Sequence, residues 1–311
     1  MKSIAKIGLS LVSCLLVFIA CDYIANPLLP KPVVVINDTV VYQNVLLEDY
    51  NGETCINCPS ASSEIDSLIG VYKTRIIPLS ICYGYFATIA TGYPANVAPY
   101  KTWDFTTPVG NTYGNLFLGP NASYPDVMVN RMHAPTGQNN FNSNQVFADS
   151  VVAIMNANTG PANIKLILNT TFNSGSRVLT VKATATFLKA YPGNYNIVLL
   201  LTQDSIKGPQ LLAGVPDTSY QHRFLLRDNI TSSAGGDVFV PVGGASINQV
   251  FNTTTYSYNL QTAYPQSPAT GCHQIPCDYT KCYVVAFIYD ALSTSPTYYQ
   301  VMQAQQKKIY P

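Results

Sequence analysis

The sequence predicts an α/β domain followed by an all-β domain. In the first half, an apolar strand at 45–47, a helical pattern at 60–71 and a second apolar strand at 75–82 form a β-α-β succession. Beyond residue 160 the helical spacing stops, and short strands separated by turn signals follow one another, which is typical of a β-sandwich. We therefore expect domains at 33–160 and 161–311.

The first twenty residues have the pattern of a signal peptide. Lys2 and Lys6 precede an apolar stretch that is short for a membrane span, although an uncleaved anchor is the alternative. Residues 18–21, Phe-Ile-Ala-Cys, resemble a bacterial lipobox and predict a signal peptide at 1–20 with lipidation of Cys21. Cleavage before Cys14 would leave an apolar mature terminus. The proline-rich residues 21–32 are expected to form a tether.

Composition and charge limit the classes of partner. Charged residues make up 11% of the 311 residues and the net charge is +1, so no basic surface for nucleic acid is expected. Eight cysteines are present, and six remain once Cys14 and Cys21 are set aside. In an oxidising compartment six cysteines allow three disulfides, whose pairing the sequence does not give. The six are Cys55, Cys58, Cys82, Cys272, Cys277 and Cys282.

A Cys-x-x-Cys motif joins the first strand to the first helix. Asn51 and Gly52 predict a turn after the strand, and Pro59 suits the first turn of a helix. Cys55 is then expected where backbone N–H groups and the helix dipole favour a thiolate. A Cys-x-x-Cys beside a β-α pattern is a thioredoxin-like signal that predicts a redox dithiol. A structural disulfide with Cys58 is the alternative, because an exported pair at this spacing oxidises without any catalytic role.

The two apolar strands of the first half are expected to pair in parallel through a right-handed helical crossover. Both strands then end at the same edge of the sheet, which would bring Cys82 near the dithiol. The other elements predicted in this half are a leading strand or hairpin at 33–41, a helix near 106–117, a strand at 124–130 and a helix at 144–156.

The second half is expected to consist of strands alone. Residues 177–188 alternate apolar and polar side chains, the pattern of a half-buried strand. The strands predicted here are 163–172, 177–188, 195–203, 220–227, 237–241, 250–260, 282–290 and 298–309.

Four segments together resemble the outer-membrane-protein-28-related lipoproteins of Bacteroidota, in the same order along the mature chain. They are 45–61 (VLLEDYNGETCINCPSA), 124–131 (YPDVMVNR), 221–228 (QHRFLLRD) and 282–289 (CYVVAFIY). The resemblance implies a thioredoxin-like domain followed by an immunoglobulin-like β-sandwich. It also implies a lipid-anchored protein of the outer membrane, but no settled activity. We expect the protein to lie on the periplasmic or cell-surface side, with a protein or peptide partner and no cofactor.

The wider thioredoxin pattern implies roles for five residues. Cys55 matches the exposed nucleophile and Cys58 the resolving thiol, while Asp49 matches the buried acid that accepts the proton of the second thiol. Pro125 matches a cis proline that faces the dithiol, and Tyr124 the residue that pairs with an incoming chain. The chain departs from that pattern where Thr54 replaces the usual Trp and Cys82 replaces the family's His.

Other chemistries have weaker signals. A second group has a spacing that is unusual for zinc, so no metal is expected; it consists of Cys272, His273, Cys277 and Cys282. One loop disulfide among these cysteines is preferred, with a bond from the third cysteine to another partner, for which Cys82 is a candidate.

A cysteine hydrolase would pair Cys55 with His133 or His222, but the order and spacing match no such family. Aromatic residues that could line a binding groove follow the second strand. They are Tyr83, Tyr85, Phe86, Tyr93, Tyr100 and Trp103.

Two functions are consistent with these observations. The first is thiol–disulfide exchange on envelope proteins, with the β-sandwich positioning the substrate. The second is a non-enzymatic surface binding or adhesion module, in which a thioredoxin-like fold is a disulfide-stapled scaffold. The fold does not decide between them. An exposed Cys55 sulfur that faces Pro125 would favour exchange, whereas a buried or covered disulfide would favour the scaffold.

Overall fold

The first half contains the β-α-β unit that carries the Cys-x-x-Cys motif. The computed structural model describes residues 40–87, 103–119, 122–132, 144–264 and 274–310. The signal peptide, the tether with Cys21 and all but the end of the leading strand at 33–41 lie outside these ranges.

Strands β1 (Val45–Asn51) and β2 (Ile76–Cys82) pair in parallel on either side of helix α1 (Cys58–Tyr72), as the sequence predicts. The register runs from Val45 opposite Ile76 to Asn51 opposite Cys82, so both strands end at one edge of the sheet. Strand β3 (Asp126–Val129) pairs antiparallel with β1 on its other side. Every residue of β1 is buried, because the strand has a neighbour on each side and lies inside the fold.

Two more helices and thirteen more strands complete the described elements. The helices are α2 (Pro108–Phe117) and α3 (Asn144–Ala157). The strands are β4 (Ile164–Asn173), β5 (Val178–Phe187), β6 (Tyr195–Gln203), β7 (Ile206–Leu212), β8 (Val215–His222), β9 (Leu225–Asn229), β10 (Asp237–Val240), β11 (Gln249–Asn252), β12 (Tyr256–Asn259), β13 (Ala263–Tyr264), β14 (Ile275–Pro276), β15 (Cys282–Asp290) and β16 (Val301–Lys308).

A mixed eight-stranded sheet runs through the molecule. Its order is β16-β15-β6-β9-β2-β1-β3, with β10 also paired to β6. Strand β9 joins the two halves, because Ser80 of β2 pairs with Leu225. Strands from both sides of residue 160 therefore belong to one sheet, and the domain limits 33–160 and 161–311 stay a prediction.

A second, four-stranded sheet covers part of the large one. It contains β4, β5, β11 and β12, with β5 in the centre. Ile197, Leu199 and Leu201 of β6 share a core with this sheet. The alternate residues Val198 and Leu200 share another core with α2, β1 and β2. Burial on both faces explains why β6 is a continuous apolar run.

The mixed α/β class and most strands agree with the sequence predictions. The predicted strand at 250–260 is two short strands, β11 and β12, that both pair with β5. The predicted strand at 220–227 is divided between the end of β8 and the start of β9. Strand β7 was not predicted, because Gly208 and Pro209 interrupt its apolar pattern. Within the described ranges, no helix combines the length and the apolar character needed to cross a membrane.

Candidate functional site

The Cys-x-x-Cys motif lies at the start of α1, beyond the end of β1. Cys55 and Cys58 form a disulfide. The Cys55 N–H donates to the Gly52 carbonyl at 3.1 Å, which closes the turn after β1. Cys58 is the first residue of α1, and its N–H donates to the Cys55 sulfur at 3.1 Å. A donor at this position stabilises negative charge on Cys55 once the disulfide is reduced.

A β-hairpin formed by β7 and β8 covers the motif. The Leu211 N–H donates to the Glu53 carbonyl at 2.8 Å, and the Gln210 side-chain amide donates to the Cys55 carbonyl at 3.0 Å. Each cysteine of the disulfide is only 2% exposed. This burial differs from the exposed nucleophile that the family resemblance implies. Strands β7 and β8 form a separate two-stranded sheet and do not pair with strands of the large sheet.

Asp49 is a buried acid with few partners. The Asn51 amide donates to its Oδ2 at 2.9 Å, and the Ser62 hydroxyl of α1 donates to the same oxygen at 3.3 Å. Its Oδ1 has no hydrogen-bond partner among the described residues. Burial raises the pKa of Asp49 to about 6, and the two hydrogen bonds oppose that rise. The side chain can therefore exchange a proton near neutral pH.

Cys82 belongs to the same hydrogen-bond network as Asp49 and Asn51. It lies at the end of β2, the sheet edge where the sequence predicts it. Its thiol donates to the Asn51 Oδ1 at 3.2 Å, and the Asn51 amide also donates to the Ser80 hydroxyl at 2.8 Å. Burial, followed by the nearby Glu53 and Asp49 carboxyls, raises the pKa of the Cys82 thiol well above its ordinary value. Asn51 therefore connects Cys82 to Asp49, and the role of Cys82 as a disulfide partner stays a prediction.

Glu53 is a second buried acid beside the dithiol. Its side chain is 1% exposed, and neither carboxyl oxygen has a hydrogen-bond partner among the described residues. Burial raises its pKa to about 8, and the nearby Asp104 carboxyl adds to the rise. No sequence signal indicates a buried Glu53, because an acid between Gly52 and Thr54 has the pattern of a solvated turn. The hairpin that buries it comes from residues far along the chain.

The Tyr124–Pro125 peptide bond is cis, as the resemblance implies. Asp126 of β3 pairs with Tyr50 of β1. Because the two strands are antiparallel, Pro125, one residue before Asp126, lies level with the end of β1. Phe86 connects Tyr124 to the dithiol loop. Its ring centroid is 5.7 Å from that of Tyr124, and its carbonyl accepts from the Thr54 N–H at 3.1 Å. The roles of Pro125 and Tyr124 towards a substrate stay predictions.

Some of the remaining candidates lie around the hairpin. His222 is buried at the end of β8, where its Nε2 is 3.1 Å from the Pro209 carbonyl. Burial lowers its pKa to about 4. Its ring is 4.4 Å, centroid to centroid, from that of Phe105, which also contacts Trp103. The ring thus packs with hydrophobic neighbours.

Other candidates lie outside the described ranges, namely His133, His273, Cys272, Tyr93 and Tyr100. The described part of the chain contains no group of three side chains able to bind a metal ion.

Solved structures resemble this fold at low sequence identity. HBP35 of Porphyromonas gingivalis matches 86% of this chain and 76% of its own with a TM-score of 0.62 at 17% identity. A protein from Agrobacterium tumefaciens matches 85% of this chain and 94% of its own with a TM-score of 0.45 at 13% identity. At such identities the first match shows a shared fold. No curated protein matches the sequence.

The sequence also matches a family model. The model is described as outer membrane protein Omp28, and it covers residues 119–311, more than half of the chain. The match confirms the family that the four segments indicated and the outer-membrane or cell-surface location in its broad form. The chain belongs to the outer membrane protein Omp28 family.

Proposed function

We propose that this envelope protein exchanges thiols and disulfides with protein or peptide substrates through Cys55 and Cys58, in a thioredoxin-like unit anchored by lipid at Cys21. The observation that carries the proposal is the buried, weakly partnered Asp49 of β1, which accepts a hydrogen bond from Ser62, one turn of α1 beyond Cys58. Burial of a carboxyl with an unpaired oxygen is costly, and a structural disulfide has no use for it. A proton acceptor for the second thiol is the role that the family resemblance implies for Asp49.

The proposed reaction begins with the reduced dithiol. The Cys55 thiolate attacks one sulfur of a substrate disulfide, and the other substrate sulfur leaves as a thiolate that takes up a proton. Cys58 then loses its proton to Asp49 and attacks Cys55 in the mixed disulfide. The substrate is released as a dithiol, and Cys55 and Cys58 are left oxidised. The reverse sequence of steps would oxidise a substrate.

Access to the dithiol depends on the β7–β8 hairpin. Three hydrogen bonds hold the hairpin against the residues around the dithiol. The Leu211 N–H donates to the Glu53 carbonyl. The Gln210 amide donates to the Cys55 carbonyl and, at 3.4 Å, to the Gly52 carbonyl. None of these hydrogen bonds joins strands of the large sheet. The hairpin can therefore lift without breaking that sheet, and a substrate would replace it over Cys55 and beside Tyr124.

The test is the redox equilibrium of the Cys55–Cys58 pair. The protein is equilibrated in glutathione buffers, its thiols are trapped, and the peptides that contain Cys55 and Cys58 are quantified, with Cys55→Ser as control. A potential between about −120 and −270 mV is the range of thiol oxidoreductases and is expected here. Cys58→Ser should then retain a mixed disulfide with a substrate. A potential below about −300 mV is typical of a structural disulfide and would contradict the proposal.

A stapled binding module is the second candidate, and the 2% exposure of both cysteines favours it. A cleft of about 910 Å³ supplies a surface for a partner. It opens beside the first half of β2, just before the start of β9. Phe224 and Tyr283 line it together with Lys73 and Lys308. In this candidate the disulfide resists reduction until the protein unfolds, so the same titration separates the two functions.

A further inference from the structure

We propose that Cys277 and Cys282 form a second, reversible disulfide that is chemically independent of the Cys55–Cys58 pair. The two sulfurs lie 3.6 Å apart inside the protein. A disulfide needs a separation of about 2.05 Å, so the sulfurs must approach by little more than 1.5 Å. The proposal does not depend on exchange at Cys55.

The backbone around the pair fixes both cysteines. Cys277 follows β14, and its N–H donates to the Thr262 carbonyl at 2.8 Å. Cys282 begins β15, where it pairs with Gln203 of β6. A short 3₁₀ turn, Tyr279–Lys281, separates them, and the Asp278 side chain caps this turn. Both ends are held by strand pairing or a hydrogen bond, so the two cysteines stay next to each other in the folded protein.

The surroundings distinguish the two thiols. The Cys282 thiol can donate to the Cys277 sulfur, and this bond lowers the pKa of Cys277, helped by the charges of Arg227 and Arg177. The pKa of Cys282 is raised, because it keeps the shared proton and is buried. Arg177 also donates to the Cys277 carbonyl at 3.2 Å, which holds the guanidinium beside this residue. Cys277 also keeps some exposure (7%), whereas Cys282 is fully buried, so Cys277 is the thiol that reacts first.

The oxidant is a disulfide donor of the envelope, such as oxidised glutathione or a dithiol oxidase. The Cys277 thiolate attacks one donor sulfur, the donor S–S bond breaks, and the other donor sulfur leaves and takes up a proton. Cys282 then loses its proton to water and attacks Cys277 in the mixed disulfide, which releases the second donor sulfur as a thiol. Two protein thiols are oxidised and one donor disulfide is reduced to two thiols. Excess dithiol reverses the sequence.

Separate hydrophobic clusters hold Cys82 apart from Cys277 and Cys282. Cys277 and Cys282 belong to the core between the four-stranded sheet and β6–β15. Cys82, which lies at the dithiol edge, belongs to a different cluster with Phe105, Ile206, Leu225 and Ile275. Its thiol donates to Asn51 instead. The geometry therefore pairs Cys277 with Cys282 and leaves Cys82 out of this bond.

The experiment uses the position of Lys281 between the two cysteines. The protein is reduced, oxidised with glutathione disulfide, blocked with N-ethylmaleimide and digested with trypsin without reduction. Cleavage after Lys281 leaves Cys277 and Cys282 on different peptides unless a disulfide joins them. We expect joined peptides that separate on addition of dithiothreitol, and alkylation of both cysteines that falls to background in the oxidised sample.

Variants assign the bond, because Cys272 lies on the same tryptic peptide as Cys277. Cys272→Ser should keep the joined peptides, Cys277→Ser should lose them, and Cys55→Ser/Cys58→Ser should keep them. If Cys277→Ser does not fold, fragmentation of the joined wild-type peptides locates the bond. Full alkylation of Cys277 and Cys282 after oxidation would overturn the proposal, and so would a bond that disappears in Cys272→Ser.

Discussion

Arg131, just after β3, and Glu48 of β1 form a buried ion pair. Arg131 donates from Nε at 2.7 Å and from Nη2 at 2.6 Å to the two carboxylate oxygens, and neither side chain is more than 2% exposed. Burial alone would lower the pKa of Arg131, but Glu48 raises it above its ordinary value. Four rings surround the guanidinium, those of Tyr113, Phe117, Phe287 and Tyr289.

Removal of one partner should destabilise the protein strongly. In Arg131→Met the Glu48 carboxylate is left buried without a compensating charge, and the expected loss in the free energy of unfolding is about 3–5 kcal/mol. Urea denaturation followed by far-UV circular dichroism measures this loss.

The matched control is Arg223→Met. Arg223 is 35% exposed and pairs with both Asp66 and Asp204. Because solvent reaches its guanidinium, each of these ion pairs contributes at most about 1 kcal/mol. The double variant Glu48→Leu/Arg131→Met removes both buried charges and should be more stable than Arg131→Met. Equal losses in Arg131→Met and Arg223→Met would show that the buried pair is no more important than a surface pair.

Glu53 should make stability depend on pH. Its folded pKa of about 8 lies above its ordinary value of 4.5, so between these limits the folded chain binds a proton that the unfolded chain releases. Stability therefore falls as the pH rises through this window. At 1.36 kcal/mol per pKa unit, Glu53 should account for a loss on the order of 3 kcal/mol between about pH 5 and pH 8.

The Glu53→Gln variant isolates this effect from that of Asp49. Its free energy of unfolding, measured with urea at several pH values, should approach or exceed that of the wild type as the pH rises to 8. Glu64→Gln, a change to an acid of α1, should leave the pH dependence intact. Parallel pH curves for Glu53→Gln and the wild type would rule out a buried proton at Glu53.

The sequence predicted the elements whose signals are local. Residues 45–47 and 75–82 are apolar runs, and their parallel pairing followed from the helix between them, which the structure confirms. The place of Cys82 beside the dithiol followed from the same argument, because parallel strands end together. Asp49 was found only through the family resemblance, since its own position shows an acid in a strand and nothing more.

The cover over the dithiol could not be predicted in the same way. Gly208 and Pro209 interrupt the apolar pattern of β7, so the pattern does not indicate a strand. Strand β8 contains Pro216 and Asp217, which are unfavourable in strands. The contacts that bury Glu53 and Cys55 join residues about 150 positions apart, such as Gln210 and Cys55. Burial created by distant segments leaves no trace in the spacing of the buried residues themselves.

Asp49 should control the second step of exchange. Asp49→Asn removes the proton acceptor, so release of a mixed disulfide by Cys58 should slow by roughly 10²-fold or more. The carboxylate form exists above the pKa of about 6, so the wild-type rate should rise through that pH, and the variant should lack this inflection. Stopped-flow reduction of a fluorescent disulfide peptide measures both effects. Asp66→Asn should keep the inflection, and its survival in Asp49→Asn would show that another group takes the proton.

Gln210 should stabilise the closed position of the β7–β8 hairpin over the dithiol. Gln210→Ala removes its hydrogen bonds to the Cys55 and Gly52 carbonyls in the closed form. At about 1 kcal/mol of net stabilisation the open form should become about fivefold more populated, and dithiothreitol should reduce the disulfide faster by the same factor. Quenched alkylation of Cys55 at successive times measures the rate. Thr218→Ala, an exposed change on β8, should react like the wild type. Identical rates in all three proteins would mean that reduction does not require the hairpin to open.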